Sequence, residues 1–369
     1  MGDGITFVGM DTHKVAIQIC MYVPGQEKPV EWEIPHETGA VRRMVKRILK
    51  AAPGEVTACY EAGPCGYALQ RTLKELGMPC EVVAPSLIPV KPGDRIKTDR
   101  RDARKLAELL RAGLLTTVHA PTKAEEAVRD LCRAREDAVE DLGRARHRLV
   151  KLLLRRGLIW EGRAWTLKHG VWVRGLKWET PEEEAVVADY LLGIEQLQER
   201  IKTLEAKLEI CVAQEPYREP VAWLRCMRGI DTVTAITIVA ELHDFRRFHS
   251  PRELMAYLGL VPSEYSSGES HHRGSITKAG NSHVRKVLIE ASWHNRHSFQ
   301  VGTALKARRK GQPAKIVAIA DKAGQRLNRR FSRLVARGKP VCKVVTAIAR
   351  ELAGFIWAML YPRALEKAV

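Results

Sequence analysis

The chain has 369 residues, with 61 Lys and Arg against 43 Asp and Glu, a net charge of +18. That length allows about two or three domains, its 45% hydrophobic content supports real cores, and its charge asks for a polyanionic partner, most often nucleic acid, rather than a merely basic protein. The eight cysteines are scattered with no C-x-x-C pair, which excludes zinc-finger spacing and fits a reducing cytoplasm better than secretion.

From the N-terminus, Met1-Gly2-Asp3-Gly4 does not open a signal peptide. Strands are expected at 5–11, 15–23, 30–34, 56–61 and 80–83, and helices near 40–52, 66–76 and 101–112. The first three strands follow one another with short connections, which predicts an antiparallel meander. Strand–helix units follow, giving a mixed sheet with helices on its faces. This is the outline of an RNase H-like domain. Asp11 would lie on its first strand and Glu61 on its fourth, and these strands are neighbours in that topology.

Residues 122–156 read as one long helix. Val128, Leu131, Ala138, Leu142, Ala145, Leu149 and Leu152 fall at alternating three/four spacing, broken at Arg135. Its outer face would carry Arg129, Arg133, Arg144, Arg146, Arg148, Lys151, Arg155 and Arg156. A second long helix, 182–212, holds its seam without a gap from Val187 to Cys211. Two such helices predict a coiled coil, within the chain or between protomers, or a helical hairpin packed on its own domain. Between them lies an insertion, 157–180, with Trp160, Trp165, Trp172 and Trp178 among Arg163, Lys168, Arg174 and Lys177. Such rings can stack bases, or can cap the hairpin.

From about residue 216 a mainly helical domain is expected to run to the end. A Gly229-Ile230 turn between apolar segments resembles a helix-hairpin-helix element. Then come an apolar segment at 254–260, a polar loop at 262–281 and a helix at 282–292. The stretch 344–361 is apolar but carries Arg350 and Glu351, so it is expected to be a core helix and not a membrane span.

Two groups of residues can carry chemistry. Asp11 and Glu61 end strands, and Asp99 and Asp102 open a helix at i, i+3, so both point to one helix face. Carboxylates gathered from separate elements suit hard divalent ions. Arg100, Arg101 and Arg104 flank them and can hold phosphates. The plainer reading makes Asp99 a helix N-cap, Asp102 a dipole partner and Glu61 a loop acid. The second group is the hydroxyl- and cation-rich loop, with Ser266, Ser267, Ser270, Arg273 and Lys278, followed by Arg285. A serine there needs a base or a metal to become a nucleophile, and His271 and His272 complete no obvious triad.

Taken in order, Val8-Gly9-Met10-Asp11-Thr12-His13-Lys14, Tyr60-Glu61-Ala62-Gly63-Pro64 and Lys97-Thr98-Asp99-Arg100-Arg101-Asp102-Ala103 resemble the acidic blocks of the DEDD transposases of bacterial insertion sequences. So do Tyr257-Leu258-Gly259-Leu260-Val261-Pro262, Tyr265-Ser266-Ser267-Gly268, Gly274-Ser275-Ile276-Thr277-Lys278-Ala279-Gly280-Asn281 and Arg285. The resemblance implies a RuvC-like domain at 1–120, a long-helix coiled-coil region at 121–215 and a helical transposase domain at 216–369. It implies Mg2+ on Asp11, Glu61, Asp99 and Asp102. Its serine, placed directly before the glycine, would be Ser267, with Ser266 and Ser270 beside it, forming a phosphoserine link to DNA. A structured bridge RNA pairing with donor and target DNA, and a homodimer pairing into a tetramer in the bacterial cytoplasm, are implied as well. Arg100, Arg101, Arg104, Arg273, Lys278 and Arg285 are the candidate nucleic-acid contacts. Two rivals stand beside this reading: a RuvC-like structure-specific nuclease using water, and a catalytically silent nucleic-acid-binding protein.

Overall fold

The computed structural model describes residues 4–90, 98–267 and 270–361, apart from the side chain of His271. Lys97 and Gly268, both quoted in the motifs above, lie outside the described residues. The chain divides into two compact units, one running to Thr122 and the other from Lys123 onward.

In the first unit, β1 (Thr6–Thr12), β2 (Ala16–Tyr22) and β3 (Val30–Pro35) form the expected meander. Then come α1 (Thr38–Ala51), β4 (Val56–Glu61), α2 (Ala68–Glu75), β5 (Cys80–Val83) and α3 (Asp99–Arg111). The five strands lie in the order β3-β2-β1-β4-β5. Pairing is antiparallel from β1 to β2 and β2 to β3, and parallel from β1 to β4 and β4 to β5. This is the RuvC-like mixed sheet.

Side chains alternate between its faces. Val8, Met10, Ala58 and Tyr60 pack with Val41, Met44, Val45 and Ile48 of α1 and with Leu69 and Leu73 of α2. On the opposite face α3 lies close: Cys20 packs with Ala103 and Ala107, and Cys59 and Val83 with Leu106. Gly9 is required there, because a Cβ at that position would sit 2.2 Å from the Ala103 carbonyl oxygen. Burial of both faces explains why β1 and β4 read as continuous apolar runs.

The second unit is mainly helical: α4 (Lys123–Arg155), α5 (Leu167–Arg174), α6 (Pro181–Val212), α7 (Arg218–Leu224), α8 (Thr232–Leu242) and α9 (Pro251–Tyr257). A hairpin of β6 (Pro262–Ser267) and β7 (Ser270–Ile276) follows, then α10 (Ser282–Ser292), α11 (Thr303–Arg309), α12 (Ala314–Ala336) and α13 (Val341–Leu360). The polar loop expected at 262–281 is therefore largely a two-stranded antiparallel ribbon. Its serines and charges hide the alternation, because most of its side chains are exposed and no face is apolar.

The two long helices pack on each other within the chain. Leu142, Ala145, Leu149, Leu152, Val187 and Ile194 share one core, with Trp165, Trp172 and Trp178 against it. Arg135, the break in the first seam, pairs with Glu205 of α6 (Nη2–Oε1 2.6 Å). Arg156 pairs with Glu183 near the other end, so the helices run antiparallel. The expected outer basic face of α4 is only partly outward: Arg133 reaches buried Glu241, and Arg146 lies over the Trp165 ring.

The main core of this unit joins α8, α10, α12 and α13. Gly229 takes a left-handed φ of +82°, and a Cβ there would sit 2.5 Å from the Ala291 carbonyl oxygen, so the α7–α8 turn packs tightly. Helix α13 buries Val344, Ile348, Leu352 and Ile356. Among the described residues, no helix is long and apolar enough to cross a membrane. The eight cysteines are all free thiols.

Candidate active site

Strand alternation sets Asp11 and Glu61 at the same end of two parallel strands, and the first turn of α3 brings Asp99 to Asp11. Gly9 faces α3, so Asp11, two residues on, faces the same side. Cys59 faces α3 as well, and Glu61 follows it by two. β1 and β4 are parallel, with Gly9 beside Cys59 and Met10 beside Tyr60, so Asp11 and Glu61 each follow the last registered pair at the same end of the two strands. The close seat of α3 on Gly9 then sets the N-terminus of that helix over the strand ends. Thr98 caps it, its hydroxyl accepting from the Arg101 N–H at 3.3 Å. Asp99 is thus the first helical residue and not the N-cap of the plainer reading, and Asp102 lies in the same first turn.

Electrostatics mark the same cluster. Burial holds the Asp11 carboxyl above its usual range; His13 opposes this, while Asp99 and Asp102 add to it. His13, which the sequence reading leaves without a role, stands between two of the acids. Its Nε2 lies 3.4 Å from Asp11 Oδ2 and 3.5 Å from Asp99 Oδ1. Asp11, His13 and Asp99 each offer one ligand atom, all within 4.8 Å of one another. His13 lies just past the end of β1, in the turn to β2, so no strand periodicity marked it beforehand. The loop after Glu61 folds toward the end of β1, where the Cys65 thiol reaches the Thr12 carbonyl at 3.7 Å. A half-buried carboxylate, raised first by burial and then by two neighbouring acids, belongs to a donor set that fits a divalent cation.

The flanking arginines have partners. Arg100 and Arg104 both donate to Glu31 of β3, Nε to carboxylate, at 2.5 and 2.6 Å. Arg100 is still 67% exposed at its side chain, so its outer edge faces solvent.

In the second unit, Ser267 is the last residue of β6 and stands opposite Ser270 across the hairpin. It is exposed, and its neighbour Ser266 donates from Oγ to Glu264 Oε1 at 2.9 Å. Arg273 pairs with Glu264 across the ribbon at 3.4 Å. The base of the ribbon is rigidly held. A Cβ at Gly259 would lie 2.4 Å from the Ala279 nitrogen, and one at Gly280 would lie 1.9 Å from the Tyr257 carbonyl oxygen. These two glycine-bearing motifs are thus one contact. Arg285 clamps it, with Nη1 donating to the Leu258 and Ala279 carbonyls at 2.9 Å each. Lys278 sits in the same turn with a left-handed φ of 56°.

Below that turn, Asn281 caps α10 through the Val284 N–H and donates from Nδ2 to Glu241 at 2.7 Å. Glu241 also takes a two-pronged contact from Arg133, at 2.7 and 2.9 Å. Burial alone would raise the Glu241 carboxyl, but the hydrogen bonds from Arg133 and Asn281 prevail and hold it below its usual range.

Residues 8–156 match the family model described as Transposase, and residues 221–307 match the one described as Transposase IS116/IS110/IS902 family. A putative transposase of Sinorhizobium fredii, y4qE, is 43% identical over 96% of this chain and 88% of its own length. The chain belongs to the IS110 family of transposases. The transposase for insertion sequence element IS1533 of Leptospira borgpetersenii is 36% identical over 91% of this chain and 99% of its own. The transposase for IS1328 of Yersinia enterocolitica is 24% identical over 96% of each chain. As an IS110-family member the protein falls in the class of enzymes that cut and rejoin DNA. The first family match spans all four acids, and the second spans Ser267, Arg273, Lys278 and Arg285.

Proposed function

We propose that this transposase exchanges DNA strands through a serine nucleophile, with Asp11, Glu61, Asp99 and Asp102 holding Mg2+ in the first unit and Ser267 carried by the second. The observation that supports it most is the meeting of Asp11, His13 and Asp99, whose ligand atoms all lie within 4.8 Å of one another, with Glu61 ending the strand parallel to that of Asp11. A divalent ion there would supply positive charge for phosphoryl transfer. The chain's own residues do the rest. Ser267 is exposed at the end of a ribbon whose base is pinned by Gly259, Gly280 and Arg285. Its Oγ bonds to the DNA phosphorus as the P–O3′ bond breaks, and the proton lost by the serine is balanced by the one the 3′ oxygen takes up. The phosphodiester energy is kept in the phosphoserine link, so rejoining is the same step reversed on a new 3′ end and needs no ATP. Arg100, Arg101, Arg104, Arg273 and Lys278 contact phosphates. Arg285, largely engaged with carbonyls, contributes chiefly by holding the ribbon.

The proposal extends to partners: donor and target DNA, a structured bridge RNA encoded by the element, and a homodimer that pairs into a tetramer within the bacterial cytoplasm. The acids and the serine of one active site would come from different protomers, with the long antiparallel helices serving that assembly.

The deciding experiment incubates the full-length protein with its RNA, Mg2+ and DNA, and maps any covalent adduct by mass spectrometry. Phosphoserine at Ser267 supports the proposal, and an adduct on Ser266 or Ser270 moves the nucleophile. Recombination that survives Ser267→Ala removes Ser267 as the nucleophile, and Mg2+-dependent cleavage with no covalent adduct and no rejoining leaves a water-using nuclease. Cleavage lost in Asp11→Ala excludes a silent binding protein.

A further inference from the structure

The acid cluster contains a nitrogen that the four carboxylates do not account for. His13 Nε2 lies 3.4 Å from a carboxylate oxygen of β1 and 3.5 Å from one at the start of α3. Backbone contacts fix it there. The His13 N–H donates to the Ala16 carbonyl at 2.9 Å, closing the turn between β1 and β2. Its carbonyl accepts from His36 Nδ1 at 2.7 Å, and the His36 N–H donates to the Val15 carbonyl at 2.9 Å. The turn is therefore tied on both sides, and the imidazole is directed back over the strand end.

The spacing of the three atoms has a chemical meaning. Ligands about 2.1 Å from a metal ion stand about 3 Å apart at neighbouring corners of an octahedron and about 3.5 Å apart in a tetrahedron. The two His13 separations fall at the upper end of that span, so a small inward movement of exposed side chains brings the three atoms into one coordination shell. His13 is 53% exposed and Asp99 61%, so neither is locked by packing. Asp11, at 19%, is the fixed corner.

We infer that His13 is a nitrogen ligand of the divalent ion held by the acid site. The inference rests on the metal-binding reading given under Proposed function and adds a consequence to it. Mg2+ prefers an all-oxygen shell and gains little from an imidazole, whereas first-row transition ions gain affinity from one. The site therefore ranks Mn2+ above Mg2+, and His13 is the residue that sets the ranking.

The test uses Mn2+ as the probe on the full-length protein. Electron paramagnetic resonance counts bound Mn2+, and electron spin-echo modulation detects a directly bonded nitrogen. With twelve histidines in the chain, the assignment needs the His13→Ala variant, with His13→Gln as a second that keeps a polar side chain. The expected result is a nitrogen modulation in the parent that is absent in both variants. Mn2+ affinity should fall about tenfold, with Mg2+ affinity, read by competition, changing about twofold or less. Mn2+ bound without nitrogen coupling, or coupling that persists in both variants, overturns the role of His13 and leaves the acid site standing, with the imidazole serving as an ion bridge between two carboxylates. Mn2+ that fails to bind the parent, or binds Asp11→Asn equally well, removes the acid site itself and this inference with it.

Discussion

Gly9 of the first strand and Ala103 of α3 meet so closely that a Cβ on the glycine would stand 2.2 Å from the alanine's carbonyl oxygen and 2.4 Å from the Ala107 nitrogen. Both contacts are to backbone, which cannot swing aside. Gly9→Ala should therefore push the helix off the sheet, costing about 1–3 kcal/mol in overpacking. Because Asp99 and Asp102 ride on that helix, metal affinity should fall with stability. Thermal unfolding and Mn2+ titration check the two together; a variant with lowered stability and unchanged metal affinity would break the link between this contact and the site.

Asp11 gives a pH signature. Its folded carboxyl titrates above its ordinary value of 3.8, mainly because it is buried. Its contribution to stability is thus full below that value and is lost as pH rises through the raised folded value. In chelator at neutral pH, Asp11→Asn should be at least as stable as the parent, with the gap closing toward pH 3.8. Added Mg2+ should reverse the order, since it stabilises only a chain that binds it. Melting curves at two pH values, with and without metal, test both signs.

Glu241 has the opposite sign. Its carboxyl is held low by Arg133 and Asn281, so its stabilisation is present above the ordinary value of 4.5 and is lost as pH falls through the depressed folded value. Glu241→Gln should cost about 2 kcal/mol at neutral pH, less than a fully buried pair would, because the arginine is partly solvated. The difference should shrink in acid. Denaturant titration at neutral and acid pH measures it; equal losses at both would mean that the charge is irrelevant.

The half-exposed Arg135–Glu205 pair should show a coupling of about 0.5–1 kcal/mol in a double-mutant cycle. Replacing both with leucine should be close to neutral or stabilising, while Arg135→Leu alone should not. Unfolding free energies of the four proteins close the cycle.

The strands that carry Asp11 and Glu61 were legible because their apolar runs mark them, and the order meander-then-units fixes which strands are neighbours. The placing of Asp11 and Glu61 at the ends of adjacent strands follows from those two rules. The α3 boundary was less so: Thr98 takes the cap, which moves the helix start back to Asp99. The serine segment hid its strands because a ribbon with mostly exposed side chains has no apolar alternation to read. Glu241, Arg133 and Asn281 were invisible for another reason. Their meeting joins residues 108 and 40 positions apart, and no local pattern encodes that distance. His13 was hidden too, because it lies in the turn past the end of β1, where strand alternation no longer states which way a side chain faces.

The charged rung in the long-helix pair also acts as an address. Sliding α6 by seven residues along α4 keeps the apolar stripes roughly opposed, so hydrophobic contact alone tolerates it. The same slide sets Arg135 against Gln198 or Val212 in place of Glu205, and strips Arg156 of Glu183 at the other end. One alignment of the two helices satisfies both cations and its neighbours satisfy neither. The two ion pairs thus fix the alignment of the hairpin where the apolar stripes alone leave it free.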